Sequence, residues 1–425
     1  MKKYFYKDLS EKQKSSLMNR TRYIMSDINS EVDSILNDVK KGGLKSAIKF
    51  AKKYDNYSSQ SPFVSFDEIE EGTKLISKSV KQAIKAAYKN IYKFHLHQKR
   101  KNIEINISEG IKCALKYLPI NNVGLYIPGG TAVLPSTLLM LAIPAKIAGC
   151  KRIVISTPTK DKIDPHILYI AKILGITEIL KIGGVQGIGL LAYGDKKFKK
   201  VDKIFGPGNR YVTIAKNLVS IDPEGSAIDM PAGPSEVLII ADDSANPVFT
   251  ASDLLSQAEH GSDSSSILVT NSEKFAELVQ IELGNQLKSL ARNKFIIESL
   301  KNSFIIITDN LEDALDFSNE YAPEHLILQV KNYNKYKGKI ENAGSVFLGN
   351  YSPESASDYA SGTNHTLPTN GFAKSFSGVT LNSFQKSITF QELTKSGLKS
   401  IEDTIITLAE IEGLDAHANA IKVRK

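Results

Sequence analysis

The run DMPAGPSEVLIIADDSANPVFTASDLLSQAEHG, residues 229–261, holds one complete strand-and-helix unit, and its reading decides the fold class. Residues 237–241 form a short continuous apolar run, the pattern of a strand buried on both faces. After it, Asn246 suits a helix N-cap, Pro247 the first helical position and Gly261 the residue just past the end. Val248, Ala251, Leu254, Leu255 and Ala258 share one helical face, which is expected to pack on a sheet. Asp253, Gln257 and His260 share the opposite face. Gln257 and His260 are three apart, so their side chains can converge on one point and form half of a metal site. A C-terminal histidine that meets the helix dipole explains His260 equally well at this stage.

Working outward, strand-like and helix-like runs alternate from residue 123. Residues 123–127, RIVIST, EILKIGG and KIFGPG read as strands; PSTLLMLAIPAKIAG, HILYIAKILG, residues 188–193 and RYVTIAKNLVS read as helices. Beyond the opening stretch, SSILVT, SFIIIT, HLILQV and GSVFLG are strands, with helices over 273–287 and 311–321 between them. Such alternation predicts parallel sheets with crossover helices. The glycine-rich turns YIPGGT, IGGVQG and FGPGN each follow a strand, where ligands bind in open α/β sheets. None fits GxGxxG, and tight βα turns use glycine regardless. Residues 1 to about 100 read as helix, in three segments with apolar residues three and four apart. Residues 353–376 form a long Ser/Gly/Thr/Asn-rich loop carrying Asp358 and His365, and a loop of that length in a compact domain is usually functional or disordered. The tail reads as largely helical, broken at Gly413, with Glu412 and His417 on either side of the break.

A chain of 425 residues has room for two or more domains. The net charge of +8 comes from dispersed lysines, with few arginines and no basic strip interleaved with aromatics, so a nucleic-acid groove is not indicated. The two cysteines, Cys113 and Cys150, lie far apart in no CxxC pattern, as in a reducing compartment, and Cys150 ends an apolar helix as a buried thiol. No apolar run approaches the length of a membrane span and the N-terminus is not a signal peptide, which together predict a cytoplasmic protein.

The histidines number seven. His95 and His97 read as ordinary core or surface residues, and His166 as a helix N-terminal residue. The remaining four join three carboxylates and an amide in one candidate set: Gln257, His260, Glu324, His325, Asp358, His365, Glu412 and His417. Two imidazoles, a carboxylate and an amide oxygen would complete a mixed N/O shell for a divalent metal such as zinc. Adjacent Glu324 and His325 read equally well as a surface pair.

The runs GLYIPGGTAVLPSTLLMLAIPAKIAGC, VDKIFGPGN, AIDMPAGPSEVLIIAD, ASDLLSQAEHG, YAPEHLILQ, AGSVFLGNYSPESASDYASGTNHTLPT and FQKSITFQEL resemble the histidinol dehydrogenases, nearly end to end. The resemblance implies oxidation of L-histidinol through the aldehyde to L-histidine with two NAD and one zinc per site, in a homodimer. It implies Gln257, His260, Asp358 and His417 as zinc ligands and Glu324 and His325 as the catalytic pair. Substrate would meet Ser235, His325, His365 and Glu412, together with the zinc and hence its ligands Gln257, His260, Asp358 and His417. NAD would lie near Tyr126, Gln186 and Asn209. Glu412 and His417 would come from the partner chain. In the turn GGVQGIGLLAYG, Val185, Gly187 and Gly189 stand where the family is richer in alanine.

The fold expected is α/β: two Rossmann-like, incomplete parallel-sheet domains with helical N-terminal and C-terminal extensions. The expected division is 1–24 as an N-terminal helical extension, 25–125 plus 236–378 as the first domain with catalytic and metal residues, 126–235 as the NAD lobe, and 379–425 as a helical dimerisation tail. Two enzymatic alternatives remain: a related zinc and NAD dehydrogenase for another small alcohol such as a sulfopropanediol, which would lack Glu412 and His365, and a metal-dependent hydrolase, which would leave the glycine-rich turns unused. A nucleic-acid binder would need salt-sensitive binding to DNA or RNA.

Overall fold

The strand in the opening stretch runs Glu236–Ala241, and all six of its residues are buried. It lies parallel to Ser265–Thr270 on one side and His325–Gln329 on the other. Beyond these, Phe304–Ile307 and Ser345–Leu348 extend the sheet, and Lys2–Phe5 closes the Phe304–Ile307 edge, giving six parallel strands. The N-terminal extension therefore begins as a strand rather than a helix and continues into the helix Glu11–Met18. The computed structural model describes residues 1–20, 26–129 and 133–424, without the side chains of 26 and 27. The expected helical stretch over 21–25, the boundary at 24, and Gly130 and Thr131 of the YIPGGT turn lie outside the described residues.

A second sheet holds five parallel strands in the order Glu178–Leu180, Arg152–Ser156, Asn122–Tyr126, Lys203–Phe205, Ala227–Ile228. Counted along the chain within each unit, both sheets read 3-2-1-4-5, with Lys2–Phe5 added to the first. This is a doubly wound, Rossmann-like order with a switch point beside the first strand of each unit. The two incomplete Rossmann-like sheets predicted from the alternation are the observed architecture.

Each sheet is covered on both faces. Helices Pro247–Ala258, Glu273–Leu287 and Asn293–Leu300 bury Leu254, Leu255, Phe275, Val279 and Ile296 on one face of the first sheet. Helix Leu311–Tyr321 covers the other with Leu315 and Phe317, joined by Leu9 of the N-terminal arm. Helices Ser26–Tyr54, Phe66–Lys74 and Lys78–Leu96 pack on the helices of the second sheet. Val32, Leu36 and Val39 join its one core, and Ile69, Ile84 and Ile91 the other. Residues 26–96 thus sit with the unit expected to comprise 126–235, not with the first sheet, and the second sheet begins at Asn122. An amphipathic stripe says that a helix is covered but not by what.

Residues 101–122 and the tail differ most from expectation. Ile111–Pro119 is the centre of a three-stranded antiparallel ribbon, flanked by Ile103–Ser108 and Gln385–Leu393. The tail therefore starts as a strand, and Phe384 anchors it by stacking on Phe205 of the second sheet at 4.0 Å. Helices Lys395–Ile411 and Asp415–Lys422 follow, separated at Gly413 with φ +69°. Among the described residues, no helix is long and apolar enough to cross a membrane.

Candidate active site

A cavity of about 800 Å³ lies where the two sheets meet. The second sheet presents the carboxyl ends of its switch-point strands, through Pro128 and residues 206–209. The first sheet does the reverse: Ser235 immediately precedes its strand Glu236–Ala241, and Glu324 and His325 open the strand His325–Gln329. The rule that α/β ligands sit at carboxyl ends holds here for one sheet only.

The turn into Glu324 is built locally. Helix Leu311–Tyr321 ends at Ala322, whose φ of +52° is left-handed, an uncommon and costly state for a residue with a Cβ. Pro323 follows, and its carbonyl and that of Glu324 accept from the amides of Gly344 and Ser345, both at 2.9 Å. A Cβ on Gly344 would lie 2.6 Å from the Glu324 carbonyl, so this approach requires glycine.

His325 and Glu324 are buried and held by one neighbour, Glu236. The Glu236 carbonyl lies 3.1 Å from His325 Nδ1, and the Glu236 amide donates to Glu324 Oε2 at 2.9 Å. A carbonyl can only accept, so Nδ1 carries the proton of the neutral ring and Nε2 keeps its lone pair. His325 Nε2 has no hydrogen-bond partner among the described residues. Burial lowers the His325 pKa to about 3, and a charge on His260 or His365 would act in the same direction, so the ring is neutral with an unprotonated Nε2. Burial raises Glu324 well above the usual carboxylate range, and the carboxylates of Glu236, Asp358 and Glu354 add to it. Glu236 is itself pushed up to about 7 by burial, against the pull of Arg20.

On the opposite wall, Asn246 caps the helix Pro247–Ala258 as predicted, accepting from the Val248 amide at 2.9 Å. Ala251, Leu254, Leu255 and Ala258 are buried against the sheet, whereas Val248, expected with them, is exposed. The helix stops at Ala258, so His260 follows it rather than ending it. Gln257, His260 and Asp358 all line the cavity, as does His365. Gln257 is fully buried, yet among the described residues neither Oε1 nor Nε2 has a hydrogen-bond partner, and His365 Nε2 also lacks one. Buried polar groups are normally satisfied, so this wall has ligand capacity to spare. An amide oxygen, an imidazole and a carboxylate fit three positions of a mixed N/O zinc shell. Among the described residues, no three His, Cys, Asp or Glu side chains gather as a metal cage. Asp358 is pushed up to about 7 by burial and His365 lowered to about 4.

Of the predicted site residues, Ser235, Gln257, His260, Glu324, His325, Asp358, His365 and Asn209 line this cavity. Asn209 also caps the helix Arg210–Ile221. Tyr126 and Gln186 do not reach it. They sit buried under the IGG turn, where the Gly184 amide donates to Tyr126 Oη at 3.3 Å and Gln186 Nε2 donates to Asp55 at 2.7 Å. Glu412 and His417 are exposed and do not line the chain's own cavity. The loop 353–376 contains the short helix Glu354–Tyr359, which carries Asp358. His95 is a core residue bonded to the Ile91 carbonyl, His166 bonds its helix cap Asp164, and Cys150 is a buried thiol pushed up to about 12.

Residues not singled out from the sequence also shape the site. Glu236 and Glu354 are buried carboxylates beside it, as is Asp253 from the predicted polar helix face, and Lys216 pairs with Asp229 at 2.5 Å in its floor. A signal existed for Glu236, a charge opening an otherwise apolar strand. Arg20 had none, because its partners are far along the chain.

A family model described as histidinol dehydrogenase matches residues 18–425. The chain is 48% identical over 425 residues to a histidinol dehydrogenase of Aliivibrio fischeri, covering 100% of this chain and 96% of that one. It is 53% identical over 395 residues to one of Bacteroides fragilis, covering 92% of each. The crystal structure of histidinol dehydrogenase from Elizabethkingia anophelis superposes with a TM-score of 0.95 at 48% identity, covering 100% of this chain and 98% of that one. A structure of proline utilization A, 14% identical with a TM-score of 0.52, shares the fold alone over 85% of this chain and 46% of its own. Fold, cavity and relatives together define an oxidoreductase. The chain belongs to the histidinol dehydrogenase family.

Proposed function

We propose that this protein oxidises L-histidinol through the aldehyde to L-histidine, the closing steps of histidine biosynthesis, in the cytoplasm. The observation that carries the reading is His325: a buried, neutral imidazole lining the cavity, with Nδ1 on the Glu236 carbonyl and Nε2 without a partner among the described residues. In the first oxidation Nε2 accepts the alcohol proton as the carbinol carbon loses hydride. In the second, Glu324, 3.6 Å from His325, removes a proton from the water that adds to the aldehyde, and the hydrate carbon then loses the second hydride. Its buried carboxyl must be ionised to do so. Bound NAD supplies the hydride acceptor. The dinucleotide would lie near Tyr126, Gln186 and Asn209: Asn209 lines the cavity, while Tyr126 and Gln186 would act from beneath by bracing the IGG turn and the helix that follows it.

Gln257, His260 and Asp358, with His417 of the partner subunit, would hold zinc. A bound zinc supplies a template that holds the substrate imidazole and amine. Ser235 and His365, with Glu412 of the partner subunit, would bind the substrate. A homodimer with shared sites is supported by the unpartnered apolar surface of the ribbon and tail. Ile103, Ile105, Ile107, Phe390, Leu408 and Ile411 are exposed, more than one chain leaves to water without use.

The test is purified, zinc-replete protein given L-histidinol and NAD, with NADH followed by absorbance. NADH formation that a chelator abolishes and zinc restores is the expected result. No NADH would sink the reading, and turnover of an ester or amide without NAD would favour the hydrolase.

A further inference from the structure

We propose that Arg20 is a positioning residue for the catalytic pair, clamping the turn that delivers Glu324 and His325 and the side chain of Glu236 at once. The inference rests on the catalytic role proposed above for that pair. Arg20 follows the N-terminal helix Glu11–Met18, and its side chain is almost fully buried. Its Nε lies 2.8 Å from Glu236 Oε2. Its Nη2 donates to the carbonyl of Tyr321 and, at 3.3 Å, to that of Ala322. The guanidinium also stacks on the Tyr321 ring, 3.6 Å from its centroid.

Each contact falls on a part that sets the pair. Tyr321 and Ala322 end the helix before Pro323, and Ala322 holds the left-handed conformation. Such a state persists only where its surroundings over-determine it, and Arg20 grips both carbonyls of that turn. Glu236, in turn, holds both catalytic side chains with its main chain, and its Oε1 accepts from the amides of Glu324 at 3.2 Å and Asn370 at 3.0 Å. The groups facing the Glu236 carboxyl are Arg20, the Tyr321 hydroxyl at 3.5 Å and these two amides. The clamp reaches the His365 loop as well: Gly371 has φ +78°, and a Cβ there would lie 2.9 Å from Arg20 Nη1.

A planar fork does what an ammonium cannot, meeting a carboxylate and two carbonyls while lying flat on a ring. Arg20→Ala is predicted to lower kcat for L-histidinol by about tenfold or more with KM changed by less than about twofold, the pattern of a group misplaced in the transition state. Arg20→Lys is predicted to fall between, and it carries the same readouts if the alanine variant does not fold. A second readout needs no turnover: with histidine rings labelled at Cε1, the His325 resonance, assigned through His325→Asn, shifts in both Arg20 variants. Those of His97 and His166, outside the cavity, stay put. Wild-type kcat with an unmoved His325 resonance in either variant, whatever its Tm, would overturn the clamp. If the unaltered protein makes no NADH, the catalytic reading fails while the His325 resonance still decides the clamp.

Discussion

Glu236 donates its amide to Glu324 and accepts from His325 through its carbonyl, so one residue fixes the proposed base and the proposed water-activating carboxylate. The same hydrogen bond sets the His325 tautomer. His325→Asn, which keeps a polar side chain without a basic nitrogen, is expected to lower kcat for L-histidinol by roughly 10²–10⁴. Glu324→Gln should spare alcohol oxidation and slow oxidation of the aldehyde by a similar factor, measured with histidinal supplied directly. Equal loss of both steps would refute the division of labour. Asp253 makes a different residue-scale prediction. Burial lifts its pKa from 3.8 to about 7, opposed only by the Gln329 amide at 2.9 Å. A carboxyl raised on folding favours the folded state at low pH, and that contribution is lost as pH rises from about 4 through 7. Asp253→Asn should therefore stabilise the protein on the order of 2–3 kcal/mol more at pH 8 than at pH 5, read as Tm against pH. An equal change at both pH values would show that Asp253 is not held protonated.

At the scale of elements, the FGPG turn joins the strand Lys203–Phe205 to the helix Arg210–Ile221 and forms part of the cavity wall. Gly206 has φ +125°, and a Cβ there would fall 2.1 Å from the Tyr126 carbonyl, with the Lys216–Asp229 pair braced against its own backbone. Gly206→Ala is expected to cost about 2–4 kcal/mol in chemical denaturation and to weaken NAD use, because strain and overpacking act together. An unchanged midpoint would contradict the close approach. Most elements were legible: the strand over 265–270, buried on both faces, reads as an unbroken apolar run, and the helices over 273–287 and 311–321 match their predicted bounds. The failures have a common physical cause. Lys2–Phe5 is an edge strand with almost no burial, and IEINIS and QKSITFQEL alternate but expose both faces within one chain. Where one chain leaves a strand uncovered, the pattern that announces a core is missing.

For the whole molecule, the site assembles where two sheets of the same strand order meet, one by its carboxyl edge and the other by its amino edge. Eight of the predicted site residues meet there because they sit in or beside turns at those edges. What the sequence left open is long-range. The packing of residues 26–96 on the second sheet and the reach of Arg20 to Glu236 depend on contacts far apart in the chain. The placement of Glu412 and His417 belongs to this scale, since one chain leaves both outside its own cavity. If the tail of one chain completes the cavity of another, two inactive variants complement each other. His325→Asn and His417→Ala, co-expressed and assayed as the mixed population, yield a mixed dimer with one intact site, made from the His417→Ala body and the His325→Asn tail. Random pairing then restores about a quarter of wild-type NADH formation from L-histidinol. A mixture no more active than either variant alone, with the unaltered protein fully active, would contradict a shared site.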